Sequence, residues 1–387
     1  MPEKKLKAGW QRVKFGDVVR LSKTRSQDPL ADGFERYVGL EHLEPGDLRI
    51  RRWGNVADGV TFNSVFQPGQ VLFGKRRAYQ RKVAVADFAG VCSGDIYVFE
   101  SKDANVLLPE LLPFICQTDA FFEHAVGTSA GSLSPRTNWT SLSEFEFLLP
   151  PKETQFKLLK LLLAIEFITS SLDKVSSCAE QLNHSIFGDF LNKGWPLVDI
   201  GSVVHGAQYG LSVNAGAEGQ YPILRMMNIE DGLCVENDIK YVDLTDKDFS
   251  TYRLDQGDVL FNRTNSYELV GRTGVYELEG DHVFASYLVR LKTILEKLEP
   301  KFLTLFLTSD FGRRQVLAYA TKAVSQANVN ASNLLRVRIP LPPLKDQQLL
   351  LAEIDEVKST AKMAIKRLAV ASEMKKQLLL QIAGMEK

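Results

Sequence analysis

Two proline-containing segments decide the predicted fold of this 387-residue chain: FEFLLPPKETQ at 145–155 and VRIPLPPLKDQQ at 337–348. Each reads as a short strand, two prolines and the polar start of a helix, because proline ends a strand and is tolerated in a helix's first turn. Aligning Pro150 with Pro342 gives an offset of 192 residues and places Gln155 opposite Gln347. The two segments therefore predict an internal repeat.

Further matches occur in the same order upstream of each double proline. WQRVKFGDVV at 10–19 resembles WPLVDIGSVV at 195–204, and PGQVLFGKR at 68–76 resembles QGDVLFNRT at 256–264. In the second match a glycine is predicted to form a tight turn before an apolar strand. The offset increases from 185 through 188 to 192, as loop insertions in duplicated domains would produce. We interpret the chain as a duplication.

Each copy divides into a strand-rich part and a long helix. Residues 1–150 and 194–340 contain short strand-like runs, such as VLFG and SYLVRLK, between Gly, Asn and Asp turns, with a helical stretch near the end. Residues 151–193 and 341–387 read as one helix each. The predicted fold is therefore α+β, with two strand-rich α/β domains, each followed by a long helix.

The two helices are predicted to form an antiparallel coiled coil. A helix of about 40 residues is about 60 Å long, whereas a domain of about 150 residues has a radius of gyration of about 15 Å. Gly194 joins the second domain directly to the far end of the first helix. Parallel helices would require that domain to reach back along the whole helix. We therefore expect one domain at each end of the helix pair, related by a pseudo-two-fold axis.

Apolar residues at alternating spacings of four and three form the seam of each helix. In the second helix Lys375 interrupts the seam; it could fix the register, but we expect its ammonium to extend to water. The first helix has a second apolar row, which two helices alone cannot bury and which predicts a protein partner. The predicted coiled-coil and partner-binding residues are Leu161, Ile168, Val175, Leu182, Leu350, Ile354, Val357, Leu368, Leu378 and Ile382.

The composition is that of an ordinary globular protein, with 45% hydrophobic and 24% charged residues. Its four cysteines and five histidines are scattered, so we expect neither a disulfide framework nor a metal centre. The N-terminal MPEKKLKAGW lacks the apolar core of a signal peptide, and the most apolar run, at 158–168, is too short to span a membrane. We expect a soluble, cytoplasmic protein. The zero net charge does not exclude nucleic acid, because phosphate contacts need only a local basic surface.

Two pairs of aligned loops contain the candidate nucleic-acid-binding residues. GKRRAYQRK at 74–82 and FNRTNSYELVGR at 261–272 combine cations, amides and tyrosines, which bind phosphates or base edges. GTSAGSLSPRTNW at 127–139 and KAVSQANVNASN at 322–333 are polar segments just before the last strand of each copy. The alternative for each is a plain surface turn. The predicted DNA-binding residues are Lys75, Arg76, Arg77, Tyr79, Gln80, Arg81, Lys82, Arg136, Asn138, Asn262, Arg263, Asn265, Tyr267, Arg272, Gln326, Asn328 and Asn330.

A stand-alone DNA-modifying or DNA-cleaving enzyme is the competing class. A methyltransferase would need an [N/D]-P-P-[Y/F] motif, but both double prolines follow leucine, and the chain has no G-x-x-x-x-G-K-[S/T] loop for ATP. Asp346 with Glu356-Val357-Lys358 imitates a nuclease motif, yet these residues lie along one predicted helix. We expect no catalytic residue. A purely structural coiled coil would leave the paired loops unexplained.

The tandem order of strand-rich domain and long helix resembles the specificity subunits of type I restriction–modification systems. The resemblance covers the whole chain and includes I-P-L-P-P-L-x-x-Q-Q at 339–348, echoed by F-L-L-P-P-K-x-x-Q at 147–155. The first copy departs from the family at Lys152-Glu153-Thr154, where an apolar residue commonly follows the prolines.

The resemblance implies two target recognition domains, at 1–150 and 194–340, that each read one half of a split, asymmetric sequence in double-stranded DNA. The helices at 151–193 and 341–387 would act as spacers that set the gap. It also implies two DNA-methyltransferase subunits and ATP-driven restriction subunits as partners. The chain itself would bind no cofactor, whereas its partners would use S-adenosylmethionine, ATP and Mg²⁺.

Overall fold

The computed structural model describes residues 7–267, 269–322 and 327–383. Contacts divide the chain into two compact units: unit 1 comprises residues 1–175 and 363–387, and unit 2 comprises residues 176–362. Both units combine helices with sheets, which confirms the predicted mixture of the two.

Unit 1 is built from short strands and helices that precede a long helix. Its strands are β1 (Gln11–Lys14), β2 (Val19–Leu21), β3 (Arg36–Val38), β4 (Gly54–Asn55), β5 (Ser64–Phe66), β6 (Val71–Gly74), β7 (Val83–Val85), β8 (Gly90–Cys92), β9 (Ile96–Ser101) and β10 (Glu146–Leu149). Its helices are α1 (Phe15–Val18), α2 (Leu112–Cys116), α3 (Asp119–Gly127), α4 (Trp139–Ser143) and the first part of α5 (Lys152–Leu191). The strand orders are β2-β9-β6-β7, β4-β3-β8-β5 and β1-β10.

Unit 2 has a larger main sheet. Its strands are β11 (Leu197–Asp199), β12 (Val204–Tyr209), β13 (Tyr221–Leu224), β14 (Ile229–Glu230), β15 (Leu233–Cys234), β16 (Lys240–Val242), β17 (Val259–Asn262), β18 (Thr264–Asn265), β19 (Thr273–Val275), β20 (Val283–Phe284), β21 (Leu288–Thr293), β22 (Thr321–Lys322), β23 (Ala327–Asn328) and β24 (Arg338–Pro340). Its helices are the end of α5, α6 (Asp246–Tyr252), α7 (Pro300–Thr308), α8 (Asp310–Ala318), α9 (Ala331–Leu335) and the first part of α10 (Leu344–Ala383). The strand orders are β12-β21-β17-β19-β15-β14, β16-β13-β20, β18-β23-β22 and β11-β24.

An apolar strand follows a glycine turn in both units, as the sequence predicts. Gly69 (φ 85°) precedes β6 and Gly257 (φ 86°) precedes β17, both in the left-handed region where a side chain would be strained. Every residue of β6 and β17 is buried. Both strands lie inside their sheets, so neither shows the apolar–polar alternation of a half-exposed strand.

The first and last strands of each globular part pair just before a long helix begins. Val13 of β1 pairs with Phe147 of β10, and Val198 of β11 pairs with Ile339 of β24. The double prolines follow these ladders, and α5 and α10, each 40 residues long, begin directly after them. Proline stops the ladder because it has no N–H to donate.

A buried glutamine in the first turn of α5 binds the backbone around it. The Oε1 atom of Gln155 accepts a hydrogen bond from the N–H of Leu108 at 2.9 Å. Its Nε2 atom donates to the carbonyls of Val106 at 2.8 Å and Pro150 at 3.0 Å. The side chain therefore connects the loop before the 3₁₀ turn at 109–111 to the start of the helix.

Gln347 repeats this pattern in the first turn of α10. Its Oε1 atom accepts from the N–H of Glu299 at 2.9 Å, and its Nε2 atom donates to the carbonyls of Lys297 at 2.9 Å and Pro342 at 2.8 Å. The aligned glutamines of the two proline segments thus make equivalent contacts.

The two apolar rows of α5 differ in burial. Leu158 and Ile165 of the seam are each 5% exposed in unit 1, and Ala179 is 6% exposed in unit 2. The neighbouring row is exposed to 51%, 47%, 41% and 49% at Leu161, Ile168, Val175 and Leu182. The seam packs into each unit, and the second row remains on the surface.

The seam of α10 is buried or half-buried along its length. In unit 2, Leu350 and Ile354 lie in the same core cluster as Phe187 and Phe190 of α5. In unit 1, Ile382 lies in the same core cluster as the start of α5. The remaining predicted seam residues Val357, Leu368 and Leu378 are half-buried.

Lys375 does not extend to water, and this prediction was wrong. Its Nζ atom binds Oε1 of Glu166 at 2.6 Å, and the two side chains are only 17% and 22% exposed. Its ammonium also lies 5.9 Å from the ring centroid of Phe114. Because Glu166 supplies a countercharge inside unit 1, the lysine is stabilised without reaching solvent.

Candidate nucleic-acid interface

The two candidate loops of unit 1 contact each other. The N–H of Arg77 donates to the carbonyl of Pro135 at 2.7 Å, and the N–H of Thr137 donates to the carbonyl of Lys75 at 3.1 Å. Arg76 and Arg136 also form an isolated antiparallel bridge. Segments 74–82 and 127–139, far apart in sequence, therefore form one surface.

The corresponding loops of unit 2 are joined in the same way. The N–H of Val329 donates to the carbonyl of Arg263 at 2.9 Å. Strands β18 and β23 pair antiparallel, with Thr264 opposite Asn328 and Asn265 opposite Ala327. Each unit thus brings together a pair of loops that the sequence analysis selected separately.

A cation stacked on a tyrosine lies at the centre of the loop pair in unit 1. The ammonium of Lys75 lies 4.5 Å from the ring centroid of Tyr97. The Tyr97 hydroxyl accepts a hydrogen bond at 3.1 Å from the N–H of Trp139, the first residue of α4. Tyr97 is not among the DNA-binding residues predicted from the sequence.

Unit 2 builds a similar arrangement from a different strand. The guanidinium of Arg263 lies 4.8 Å from the ring centroid of Tyr209, whose hydroxyl accepts at 2.9 Å from the N–H of Ala331, the first residue of α9. Tyr209 belongs to β12, whereas Tyr97 of unit 1 belongs to β9. Because the two tyrosines occupy different positions in the repeat, aligning the two copies could not reveal them.

Acidic groups from neighbouring segments neutralise much of the positive charge of segment 74–82, the basic loop of unit 1. Asp95 binds Arg76 at 3.2 Å and Arg136 at 2.7 Å. Arg81 binds Asp119 at 2.5 Å. The acid-free sequence of this loop therefore overstates its charge, because its countercharges come from β9 and α3 and their flanking residues.

The pKa of Asp95 reflects these partners. Burial acts to raise the pKa of this carboxyl, but hydrogen bonds and charges from Arg136 and Arg76 outweigh burial and hold it below its ordinary value. The carboxylate is therefore ionised at neutral pH and links the two loops.

The other candidates of the basic loop have varied surroundings. Lys82 donates to the carbonyl of Leu40 at 2.7 Å, and Arg77 donates to Ser134 Oγ at 3.3 Å. Tyr79 is 56% exposed in a 3₁₀ turn, and Gln80 of the same turn is half-buried. Tyr79 is thus the candidate of this loop most open to a ligand.

In unit 2, Asn262 is the last residue of β17 and directly precedes Arg263. Asn328 is the last residue of β23. Asn328 Oδ1 accepts from Arg263 at 3.1 Å. The Asn262 side chain is 0% exposed, and neither its Oδ1 nor its Nδ2 has a hydrogen-bond partner among the described residues. Asn262 can reach DNA only if its surroundings rearrange.

The remaining candidates of this loop lie closer to the surface. Asn265 Oδ1 accepts from the N–H of Ser266 at 2.8 Å. Tyr267 is 43% exposed, and Arg272 is exposed. Gln326 lies outside the described residues.

Asn138 and Asn330, which align in the repeat, both cap short helices. Asn138 Oδ1 accepts from the N–H of Ser141 at 2.8 Å, and Asn330 Oδ1 accepts from the N–H of Asn333 at 2.7 Å. These bonds satisfy N–H groups that the first helical turn leaves free. Their repeated spacing therefore has a structural cause, and DNA contact by either residue stays a prediction.

The nuclease-like residues lie far apart along α10. Asp346 and Glu356 are ten residues apart on this helix, which corresponds to about 15 Å. Over residues 7–267, 269–322 and 327–383, no group of three or more His, Cys, Asp or Glu side chains could hold a metal ion. Within the same ranges, no helix has the length and apolar character needed to cross a membrane.

A family model described as the type I restriction modification DNA specificity domain matches residues 192–369. This match covers unit 2 from residue 192 onward, including its loop pair, and α10 as far as residue 369. The match covers slightly less than half of the chain, and it makes residues 192–369 similar to that domain.

Several named specificity subunits are similar to this chain, over different lengths. The putative type I restriction enzyme MjaX specificity subunit of Methanocaldococcus jannaschii is 28% identical over 48% of this chain and 44% of its own length. The StySPI specificity subunit of Salmonella potsdam is 20% identical over 91% of this chain and 83% of its own length. The EcoKI specificity subunit of Escherichia coli K12 is 21% identical over 84% of this chain and 78% of its own length.

Solved structures of this class share the fold. The type I restriction–modification system S subunit from M. genitalium matches with a TM-score of 0.63 and 13% identity over 99% of this chain and 98% of that chain. A chain from a structural study of assembly and conformational transition of the type I system matches with a TM-score of 0.58 and 20% identity, over 99% of this chain and 100% of that chain. At these identities the matches concern the fold alone.

Proposed function

We propose that this chain is a specificity subunit of a type I restriction–modification system, and that it recognises a DNA sequence through the joined loops of each unit. The observation that carries the proposal is the backbone pairing of the two candidate loops in both units. Each joined surface presents cations, amides and a tyrosine, which are the groups that bind phosphates and base edges. The chain performs no chemistry in this proposal.

The proposed target is bipartite and asymmetric. The chain is a duplication in this view, and the equivalent hydrogen bonds of Gln155 and Gln347 support it. The two loop pairs differ in sequence: the first is basic, and the second is richer in amides. Two surfaces of different chemistry bind two different half-sites, so the complete target is non-palindromic.

The long helices are proposed to pair as an antiparallel coiled coil that sets the gap between the half-sites. Two contacts within unit 1 support this direction. Glu166 of α5 binds Lys375 of α10, and Ile382, further along α10, lies in the core cluster of the earlier α5 residues Leu158 and Leu162. Contacts that run in opposite directions along two helices are those of an antiparallel pair.

The exposed apolar row of α5 is proposed to bind partner subunits. Leu161 and Ile168 are about half exposed, and the bulkier Phe167 beside them is 69% exposed. An apolar surface on a helix favours a protein partner. The proposed partners are two DNA-methyltransferase subunits and, in a full complex, restriction subunits. S-adenosylmethionine, ATP and Mg²⁺ would be bound by those partners in the cytoplasm.

Exchange of residues 1–150 with the same segment of a related specificity subunit tests the proposal. We expect the hybrid, purified with methyltransferase subunits, to methylate a sequence with one new half-site and one unchanged half-site. Sequencing of methylated sites measures this. Exchange of 194–340 is the matched control and should change the other half. Alteration of both half-sites by either exchange would contradict the proposal.

A further inference from the structure

A small pocket in unit 1 brings two cations together beside the basic loop. It has a volume of about 50 Å³, and its polar lining consists of Ser22, Arg25, Ser64, Lys75 and Tyr97. Gly94 also lines it, and a Cβ added there would meet no heavy atom within 4 Å, so this wall is open. Hydroxyl, guanidinium and ammonium groups donate hydrogen bonds, so the lining suits an anion.

Lys75 makes no hydrogen bond or ion pair through its ammonium to any residue that the structure describes. This ammonium lies over the Tyr97 ring, 4.5 Å from the ring centroid. Burial lowers the pKa of Lys75, and the positive charges of Arg136 and Arg25 add to this effect against the opposing charge of Asp95. A partly buried ammonium of this kind is stabilised by an anion.

Asp95 lies nearby but does not pair with the Lys75 ammonium, because Arg76 and Arg136 bind its carboxylate. Asp95 lies 3.2 Å from Arg76 and 2.7 Å from Arg136. Arg25, the second cation of the pocket, makes one long side-chain hydrogen bond within the described chain, to the carbonyl of Thr24 at 3.4 Å. Both pocket cations therefore remain available to a ligand.

We infer that Arg25 and Lys75 bind a phosphate group of the DNA backbone in this pocket. The inference rests on the proposed function. Charged donors bind phosphate oxygens more strongly than neutral donors do, and the small volume favours a compact anion over a base. The pocket adjoins the joined loops of unit 1, because Lys75 belongs to both. It positions the duplex and reads no base.

The proposed phosphate site belongs to unit 1. Arg263 is the residue of unit 2 that aligns with Lys75, and its guanidinium is held by Asn328 at 3.1 Å and by the Tyr209 ring at 4.8 Å. The Asn328 side-chain oxygen thus accepts from a guanidinium N–H of Arg263 that would otherwise be available to a phosphate.

Three variants of the full chain test the pocket: Lys75→Gln, Arg25→Gln and the control Lys23→Gln. Lys23 is exposed on the same segment as Arg25 and does not line the pocket, so its replacement removes the same charge. In the first measurement, inorganic phosphate is added at constant ionic strength and the melting temperature is recorded. We expect phosphate to raise the melting temperature of the wild type and of Lys23→Gln, but not of the other two.

The second measurement distinguishes the DNA backbone from free phosphate. Duplex affinity of each variant, in complex with methyltransferase subunits, is measured between about 50 and 200 mM salt. Each lost phosphate contact lowers the salt slope by about 0.9, so the affinity loss across this range becomes about 3.5-fold smaller for Lys75→Gln. Lys23→Gln should keep the wild-type slope.

Each outcome decides the inference. A phosphate-dependent stabilisation with an unchanged salt slope would assign the pocket to free phosphate and overturn the DNA assignment. Equal slopes and equal stabilisation in all variants would overturn the pocket itself. A wild-type complex that binds duplex without sequence preference would instead contradict the proposed function. The difference in salt slope between the variants would still test the pocket, because the slope reports phosphate contacts at any DNA sequence.

Discussion

Single side chains join the strand-rich parts of this protein to its helices. Gln155 and Gln347 are 1% and 0% exposed, and each binds one N–H and two carbonyl groups of the surrounding backbone. Buried backbone groups are costly to leave unpaired. Each buried glutamine therefore supplies hydrogen-bond partners to the backbone beside its double proline.

Replacing Gln347 with Ala is expected to lower the free energy of unfolding by about 2–4 kcal/mol, because this buried side chain makes three hydrogen bonds to the backbone. Chemical denaturation monitored by circular dichroism measures the change. Gln348→Ala is the control, since that neighbour is exposed and its side chain donates to the Glu299 carboxylate; its effect should stay within about 0.5 kcal/mol. Equal effects of the two replacements would contradict the prediction, because the buried hydrogen bonds of Gln347 would then add nothing to the free energy of unfolding.

Asp95 gives the loop pair of unit 1 a predicted pH dependence. Its pKa is lower in the folded protein than its unfolded value of about 3.9. The carboxylate therefore stabilises the fold above about pH 4, and this contribution is lost as pH falls through the folded pKa.

We expect Asp95→Asn to melt at a lower temperature than the wild type at pH 7, with a difference that shrinks as pH falls below about 4. Thermal unfolding across this range measures it. The exposed Asp87, replaced by Asn, is the control and should follow the wild-type profile. A difference that stays constant into strong acid would contradict the assignment.

At the scale of elements, an ion pair replaces an apolar contact in the seam of α10. Glu166 and Lys375 are about one-fifth exposed, so water screens their attraction less than it screens a surface pair. A lone lysine in an apolar seam would be unfavourable, but its partner on α5 compensates. Such a pair also favours one helix register over its neighbours.

A double-mutant cycle with Glu166→Ala and Lys375→Ala is expected to give a coupling energy of about 1–2 kcal/mol, since the pair is partly desolvated. Urea denaturation of the four proteins measures it. The control cycle uses Glu153 and Lys157, a pair on α5 with 81% and 71% exposed side chains, which should couple by about 0.3–0.5 kcal/mol. A coupling at Glu166–Lys375 no larger than the control would contradict the account.

Across the whole molecule, the two units share several kinds of structural element but differ in sequence. Each unit has a terminal ladder, a buried strand after a glycine turn and a joined loop pair. The loops themselves differ in charge and amide content. Under the proposed function, the two loop pairs can therefore change independently while the shared framework is kept.

Removing one heptad from each long helix tests the proposed spacer. Deletion of 172–178 and 363–369 keeps Glu166 and Lys375 and preserves the seam, because seven residues are close to two full turns. Each helix becomes about 10 Å shorter, which corresponds to about three base pairs. We expect the gap of the methylated target to shorten by about that amount, as mapped by sequencing.

A deletion in one helix alone is the control for this prediction. It shifts the two seams out of register and should lower stability and abolish binding. An unchanged gap after the paired deletion would exclude the helices as a spacer.

The long helices, the glycine turns and the loops that pair within each unit could be predicted from the amino-acid sequence alone. These features depend on local chemistry: proline and glycine restrict the backbone, and apolar periodicity reports the buried face of a helix. The sequence also showed which apolar row of α5 would stay on the surface, because that row exceeds what one partner helix can cover.

The contacts of each candidate side chain become visible only in the folded structure. It placed Asp95 between two arginines, gave Asn138 and Asn330 to helix caps, and paired Lys375 with Glu166. It also brought Tyr97 beneath Lys75 and left that cation facing a pocket. The reason is physical: countercharges and ring contacts come from residues far along the chain, and their positions depend on how the strands pack.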